Sequence, residues 1–474
     1  MSQVQRWGRE AGLGRAASAD NSVLIVGGGL AGSEAAWRAA NSGARVTLCE
    51  MRPARMTEAH RTGSLAELVC SNSFKSESLE NANGLLKFEL GLLGSLTLRA
   101  AVSARVPAGS ALCVDREKFA AEVTHAIESH PRIEVVRAET EAIPEDRVAV
   151  LAPGPLASPS IAKAVERLVG SENLFFYDAV SPIVESDSID FSRAYRSSRY
   201  GKGDATYVNL PLEHDDYTRL LCALREAELT PRRDFEEARY FSACMPIEEV
   251  AKSGEETLAH GCMKPVGLED PRTGRRPYAV VQLRPENLEG TLYGLVGFQT
   301  RLKHGEQERI FRALPGLERA RFARLGSVHR NTYINGPSAL TPAMRHSKIG
   351  NVFFAGQITG SEGYMAAAAT GLLAGLNAAR QARSAELLVP PPETILGGLA
   401  RYVSQQPAGS RACDYKPMNP NFGLVPPLGA RVRDRRRRNL LLSERAASAL
   451  REWIRNNGIG EALDAKVDSS GVLS

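Results

Sequence analysis

The stretch Ser22-Val23-Leu24-Ile25-Val26-Gly27-Gly28-Gly29-Leu30-Ala31-Gly32-Ser33-Glu34-Ala35-Ala36 decides the fold. A short apolar run meets a glycine turn, and the turn opens an alanine-rich segment reaching Ser42, so the order is strand, tight turn, helix. A second strand-like run, Ala44 to Cys49, ends in Glu50, about 20 residues past the glycines, as a dinucleotide-binding βαβ unit requires. In that reading Gly27 permits the bend, Gly29 lets backbone approach a pyrophosphate, and Gly32 lets helix pack on strand, with Gly28, Leu30 and Ala31 completing the loop. The helix N-terminus faces the diphosphate. Glu50 would accept from ribose hydroxyls and repel a 2′-phosphate, which favours FAD or NAD over NADP; the plainer reading is a solvated strand end.

Downstream, Asn83 to Gly94 is too densely apolar for a simple surface helix and predicts one packed on several sides. Asp115 caps a predicted helix to about Ser129, and Ile133 to Val136 and Val148 to Leu151 read as strands. The alternation gives an α/β class: a Rossmann-like domain, a parallel sheet flanked by helices. From about Phe175 to His329 the texture changes, with strand-like Tyr207 to Leu210, Tyr278 to Leu283 and Thr291 to Phe298 and a helix-like Asp215 to Glu228, predicting an inserted α+β domain. Asn351 to Ala355 then reads as a buried strand meeting Gly356, and Gly363 to Arg380 as a long small-residue helix. The expected division is a disordered extension over 1–21, a nucleotide-binding domain over 22–195 and 330–388, an insert over 196–329, and a mostly helical tail over 389–474.

The far segment Phe353-Phe354-Ala355-Gly356-Gln357 and Gly360-Ser361-Glu362-Gly363-Tyr364 would bring backbone and a second helix N-terminus to the other end of the ligand, which selects FAD, a two-part molecule. Gly356, Gly363 and Tyr364 are the candidate contacts; most of the alanines that follow read as tight core packing.

Composition narrows the class. The 474 residues, 43% apolar, suffice for two or three packed units. No apolar run approaches the ~18 uncharged residues of a membrane helix, so no membrane span is expected. The first twenty residues lack a secretory apolar stretch, and Glu10 and Asp20 speak against a transit peptide. Seven scattered cysteines without a C-x-x-C pair argue against a disulfide framework or a metal site and for reducing cytoplasm. A net charge of +5 is too modest to demand a nucleic-acid partner, so the position of the charge matters more.

Several longer strings are specific: Glu67-Leu68-Val69-Cys70-Ser71-Asn72-Ser73, Cys244-Met245-Pro246-Ile247-Glu248, Met263-Lys264-Pro265-Val266-Gly267-Leu268, Arg276-Pro277-Tyr278-Ala279-Val280-Val281-Gln282-Leu283-Arg284, His329-Arg330-Asn331-Thr332 and Met418-Asn419-Pro420-Asn421-Phe422-Gly423. With the glycine turn they resemble the folate- and FAD-dependent tRNA (uracil-5-)-methyltransferases, relatives of the glucose-inhibited division flavoproteins, over Val23 to Leu424. Two departures stand out: Pro153, where relatives carry Thr, and Met365-Ala366, where they carry Val-Glu.

The resemblance implies formation of 5-methyluridine at T-loop uridine 54 of tRNA, with the carbon of 5,10-methylenetetrahydrofolate carried by reduced FAD and with NADPH or NADH as reductant. Uracil C5 is a poor nucleophile, so a thiolate must add at C6 to generate an enolate. Cys244 matches the family's nucleophile; Cys70 would sit at the flavin and take the C5 proton or protect the flavin, and the two roles are exchangeable. Either cysteine is otherwise a small packed hydrophobe. Cys49, Cys113, Cys222, Cys262 and Cys413 are read as structural. His329, with Arg330 and Asn331, is the candidate to face the folate ring, against the plainer reading of a core histidine. Gly201-Lys202-Gly203 is not a second dinucleotide fingerprint, so nicotinamide would visit transiently. Phosphate contacts would come from Arg275, Arg276, Arg284 and Arg435 to Arg438, a run that is equally a solvated helix face. The partners expected are the tRNA T-arm, folate and nicotinamide, with the protein a monomer. The competing readings are the same chemistry on a ribosomal RNA uridine, a folate-independent flavoprotein oxidoreductase, and an RNA-binding scaffold.

Overall fold

The computed structural model describes residues 21–144, 146–169, 174–201, 205–230, 239–240, 245–285, 292–405, 417–430 and 432–459, with 174–180, 239–240 and 327–332 described by backbone alone. The expected α/β class is what is found. Five parallel strands form a sheet in the order Val352–Phe354, Val148–Leu151, Ser22–Val26, Arg45–Cys49, Ile133–Val136. Val148–Leu151 is buried along its whole length, as an interior strand covered on both faces must be. Its parallel neighbour Val352–Phe354 comes from late in the chain, so the sheet is completed only after the second lobe has been traversed.

The helix opened by the glycine turn, Leu30–Asn41, packs against Tyr364–Ala382. Their backbones approach closely because Gly371 and Gly375, one turn apart, face it: a Cβ at either would lie 2.3 Å from the carbonyl oxygen of Ala31 or Ala35. Ala366, Ala368, Ala369 and Ala374 are buried around this crossing. The dense apolar segment forms the helix Ala82–Leu92, of which ten residues are buried, Lys87 and Glu89 among them.

Two buried carboxylates knit this layer together. Glu34 accepts from the Ser95 hydroxyl (3.0 Å) and from the N–H groups of Leu96 (3.1 Å) and Thr97 (2.8 Å), at the start of the helix Leu96–Ser103. Glu89 accepts from the N–H groups of Ile395 and Leu396, both at 2.8 Å, at the start of Ile395–Tyr402. Each fills donors that a helix start leaves open. Burial pushes the Glu89 carboxyl up to about 8, against the two N–H groups that favour its anion.

The second lobe is a six-stranded antiparallel sheet in the order Tyr195–Arg196, Val208–Leu212, Ala279–Pro285, Leu292–Leu295, Ile183–Glu185, Phe322–Arg324. His214–Glu226, Ile247–Lys252 and His304–Phe311 pack on it around a separate core containing Leu210, Leu221, Val281, Phe298 and Phe311. It takes in Ile183–Glu185, ahead of the boundary expected at 196. A three-stranded sheet, Arg239–Tyr240, Leu174–Val180, Ser327–Tyr333, carries the chain out of the first lobe and back. The last described helix, Arg435–Asn457, is capped by Asp434 and buries Leu442, Ala446 and Leu450. No helix among the described residues is long and apolar enough to cross a membrane.

Candidate functional site

Gly27 sits at φ +99, and a Cβ there would lie 2.2 Å from the Ala152 carbonyl oxygen; a Cβ at Gly32 would lie 1.7 Å from the carbonyl oxygen of Gly27. Both glycines are demanded by backbone and packing. Gly29 differs: its φ of −74 suits any residue, and a Cβ there meets nothing within 4 Å. The space it faces is a cavity of about 510 Å³ shared by both lobes, with Gly27, Gly29 and Ala31 on one side and Ile183, Arg284 and Gly297 on the other. The helix Leu30–Asn41 has no side-chain cap and no acidic residue in its first turn, so its N–H groups and positive dipole end are directed to the cavity.

Glu50 is 5% exposed. Its Oε2 accepts from the Gly28 N–H (2.8 Å), and its Oε1 from the backbone N–H (2.9 Å) and Nε (2.8 Å) of Arg52. Burial raises its carboxyl, but the bonds and charge of Arg52 and the N–H of Gly28 outweigh burial and hold it below the ordinary carboxylate value. It lines the cavity as a fixed anion and is not a solvated strand end. Arg52, 2% exposed, shares its charge with Glu67 at 3.2 Å.

The far segment reaches the same cavity. Gly363, at φ +100, starts the helix Tyr364–Ala382, again without a side-chain cap. Lys75 Nζ donates to Asn419 Oδ1 at 2.6 Å, and the Asn419 amide donates to Glu362; all three line the cavity. The Tyr364 hydroxyl accepts from the Cys70 N–H at 3.1 Å. Pro153 and Ala366, the two departures from the family pattern, lie on the wall as well.

Cys70 is half-buried and is the cavity's cysteine among the described residues. Its carbonyl accepts from Arg116 Nη2 (2.8 Å) and Arg324 Nη2 (3.1 Å), whose other nitrogens reach the carbonyls of Leu68 (2.9 Å) and Val69 (3.3 Å). One arginine comes from each lobe, so the cysteine segment is clamped where the lobes meet. Asn72, fully buried, completes the junction: its amide donates to the carbonyls of Val114 (3.0 Å) and Pro285 (2.9 Å) and accepts from Arg284 Nε (2.8 Å). Further round the wall, the N–H of Ile247 donates to the carbonyl of Gln299, a cavity residue, at 2.7 Å. Buried Glu248 accepts from Thr300 Oγ1 (2.9 Å) and the N–H of Arg301 (2.8 Å).

The fold thus brings Gly27, Gly29, Leu30, Ala31, Glu50, Cys70, Gly356, Gly363 and Tyr364 to one cavity, while Gly28 and Gly32 act from behind the turn. Cys244 lies outside the described residues, as does Cys413. His329, Arg330 and Asn331 pair in register with Asp178, Tyr177 and Phe176, and only their backbone is described. Cys49 and Cys113 are buried and Cys262 half-buried, whereas Cys222 is exposed rather than packed; burial pushes the Cys262 thiol up to about 11. Arg275 and Arg276 are exposed, but Arg284 faces the cavity. Arg52, Lys75, Arg116 and Arg324 carry no local motif that marks them, and Asn419, inside the Met418 to Gly423 string, has no role assigned there. Among the described residues no cluster of three His, Cys, Asp or Glu could hold a metal ion.

Sheet, glycine turn and shared cavity define the class: an α/β fold of the dinucleotide-binding type whose second lobe closes the site. The chain belongs to the glucose inhibited division protein A family, which matches residues 22–386, and within it to the methylenetetrahydrofolate--tRNA-(uracil-5-)-methyltransferases. It is 52% identical over 437 residues to the methyltransferase TrmFO of that name from Aquifex aeolicus, covering 92% of this chain and 97% of that protein. The TrmFO of Geobacter sulfurreducens is 53% identical over 433 residues, covering 91% and 98%. Among solved structures, Aquifex aeolicus GidA in its form II crystal superposes with a TM-score of 0.67 at 16% identity, over 93% of this chain and 74% of that one, a likeness of fold.

Proposed function

We propose that this protein forms 5-methyluridine at T-loop position 54 of tRNA, taking the methylene carbon from 5,10-methylenetetrahydrofolate. The observation that carries the reading is the meeting of Cys70 with the glycine turn, Glu50 and Tyr364 on one cavity wall, in a chain about half identical to proteins named for this reaction. The residues fit FAD: two helix starts without side-chain caps suit its anionic groups, Glu50 suits a ribose, and the open face of Gly29 leaves room for a diphosphate. When bound and reduced, FAD supplies the carrier for the one-carbon unit and the reducing equivalents, renewed by NADPH or NADH. The site is assigned to cytoplasm and to a monomer.

The chain's own residues then divide the work. The target uridine leaves its stack in the T-loop and enters the cavity. The Cys244 thiolate adds to uracil C6, and the electron pair of the C5–C6 double bond moves to C5 and O4 as an enolate. C5 bonds to the one-carbon unit, and the Cys70 thiolate takes the C5 proton. Release of that carbon from its carrier, chemistry that bound FAD would supply, would leave an exocyclic methylene on the base. Hydride arriving at the methylene expels the Cys244 thiolate from C6. The guanidinium groups of Arg116 and Arg324 give the Cys70 segment a positive setting of the kind that supports anionic sulfur. The two cysteine roles are exchangeable, and His329 with Arg330 and Asn331 is assigned to the folate.

The test uses purified protein, methylene-labelled folate and NADPH with an unmodified tRNA transcript and, in parallel, with ribosomal RNA. Labelled 5-methyluridine at position 54 is expected, with Cys70→Ala and Cys244→Ala each inactive and flavin still bound. Turnover without folate, or label appearing only in ribosomal RNA, would overturn the proposal.

A further inference from the structure

We propose that Arg433 and Arg435 to Arg438, at the start of the C-terminal helix, form the surface that grips RNA phosphates beside the cavity; this rests on the substrate reading above. All five side chains are exposed. Among the described residues Arg436 pairs with Glu80, Nε to Oε1 at 2.5 Å, and the other four form no ion pair.

Their position is costly to the helix itself. Four consecutive cations occupy the first turn of Arg435–Asn457, with the Asp434 cap as the one acidic residue at that end, although the positive end of the macrodipole disfavours cations. The Asp434 cap, accepting from the Arg437 N–H at 2.6 Å, supplies the helix start signal without them. A solvated helix face has no need of such clustering, whereas a polyanion does.

The docking of this helix directs the cluster to the site. Asn439 Nδ2 donates to the Glu80 carbonyl at 2.9 Å and Ser443 Oγ to the Leu79 carbonyl at 2.7 Å. Leu442, Ala446 and Leu450 are buried behind them. The segment so gripped runs directly between two cavity residues, Lys75 and Asn83. Glu80, the partner of Arg436, stands three residues ahead of Asn83, just before the helix Ala82–Leu92. An RNA strand with one base in the cavity therefore has backbone within reach of the arginines, which supply charge and position rather than base identity.

The test measures binding of an unmodified tRNA transcript across a salt series for the parent, for R435Q/R437Q/R438Q, for R435K/R437K/R438K, and for a distant control, R219Q/R309Q/R319Q. The glutamine triple is expected to bind about tenfold or more weaker near 100 mM salt, with the slope of log K against log salt smaller by about 2 to 3, since each phosphate contact contributes about 0.9. Its turnover at saturating tRNA and its flavin content stay at parental values. The lysine triple keeps affinity and slope, and a far-UV spectrum confirms the helix in every variant. Parental affinity and slope in the glutamine triple, or an equal loss in the distant control, overturns the surface while leaving the methyltransferase reading intact. A parent protein that binds no tRNA overturns both.

Discussion

Replacing Glu50 by Gln tests the site at its electrostatic centre. The carboxylate accepts three hydrogen bonds while almost fully buried. A carboxamide keeps one acceptor oxygen, which can retain Arg52, but its NH2 group then faces the Gly28 N–H, donor against donor. Leaving that buried N–H unsatisfied costs about 1–3 kcal/mol. Arg52 also loses its nearer counter-charge; because Glu67 remains at 3.2 Å, only part of the roughly 3–5 kcal/mol for a stranded buried charge applies. The total expected is about 2–4 kcal/mol at neutral pH, measured by urea unfolding of the flavin-free protein. Loss of the anionic ribose acceptor should also weaken FAD about 10- to 100-fold, followed by flavin fluorescence. The pH dependence has a definite sign: the folded carboxyl is held below its ordinary value of 4.5, so its contribution is present above that value and lost as pH falls through the folded one. The gap between wild type and Glu50→Gln should therefore narrow in acid. A penalty below about 0.5 kcal/mol with undiminished flavin affinity would refute the idea that a buried anion organises the turn.

Gly29→Ala, whose Cβ meets nothing within 4 Å, should leave apo stability within about 0.5 kcal/mol yet reduce FAD content, whereas Gly32→Ala, at 1.7 Å from a carbonyl oxygen, should unfold the turn; equal effects on both by urea titration would contradict the assignment of Gly29 to a ligand. Asn72→Ala removes three buried hydrogen bonds and should cost about 2–4 kcal/mol, visible as a lower urea midpoint. Glu89 has its folded pKa raised to about 8 from 4.5, so its contribution is complete below 4.5 and lost as pH rises through 8. The stability of wild type relative to Glu89→Gln should accordingly decline across that window, and a flat or rising difference in unfolding assays at several pH values would show the group ionised throughout.

Much of the fold was legible because its signals are local. The strands Ile133–Val136 and Val148–Leu151 fall on the residues expected, and the Asp115 cap accepts from the N–H groups of Glu117 and Lys118 as read. The helix predicted over Asp215 to Glu228 runs His214–Glu226, and the strand predicted over Thr291 to Phe298 is shorter, Leu292–Leu295. Within the site, the glycine turn and Glu50 could be found because one crossover encodes both. Arg116 and Arg324 could not: their bonds to Cys70 span 46 and 254 residues, and a single arginine in a helix or strand carries no spacing signal for so distant a partner; Asn419 stood in a quoted string, but its bond to Lys75 spans 344 residues. Glu34 stood inside a recognised string, yet its role as a remote helix cap depends on a partner 61 residues away.

The carboxylate of Glu89 has a consequence for the order in which the molecule can be made. Its two partners lie 306 and 307 residues downstream, and the sheet's edge strand at Val352–Phe354 is nearly as late. A nascent chain holding only its amino-terminal half would have this carboxyl group in an apolar layer without either of its partners, so the nucleotide lobe matures only after Leu396 has emerged. For the same reason a version trimmed at residue 386, where the family match stops, would not be a minimal enzyme but a lobe with its interior left unstitched.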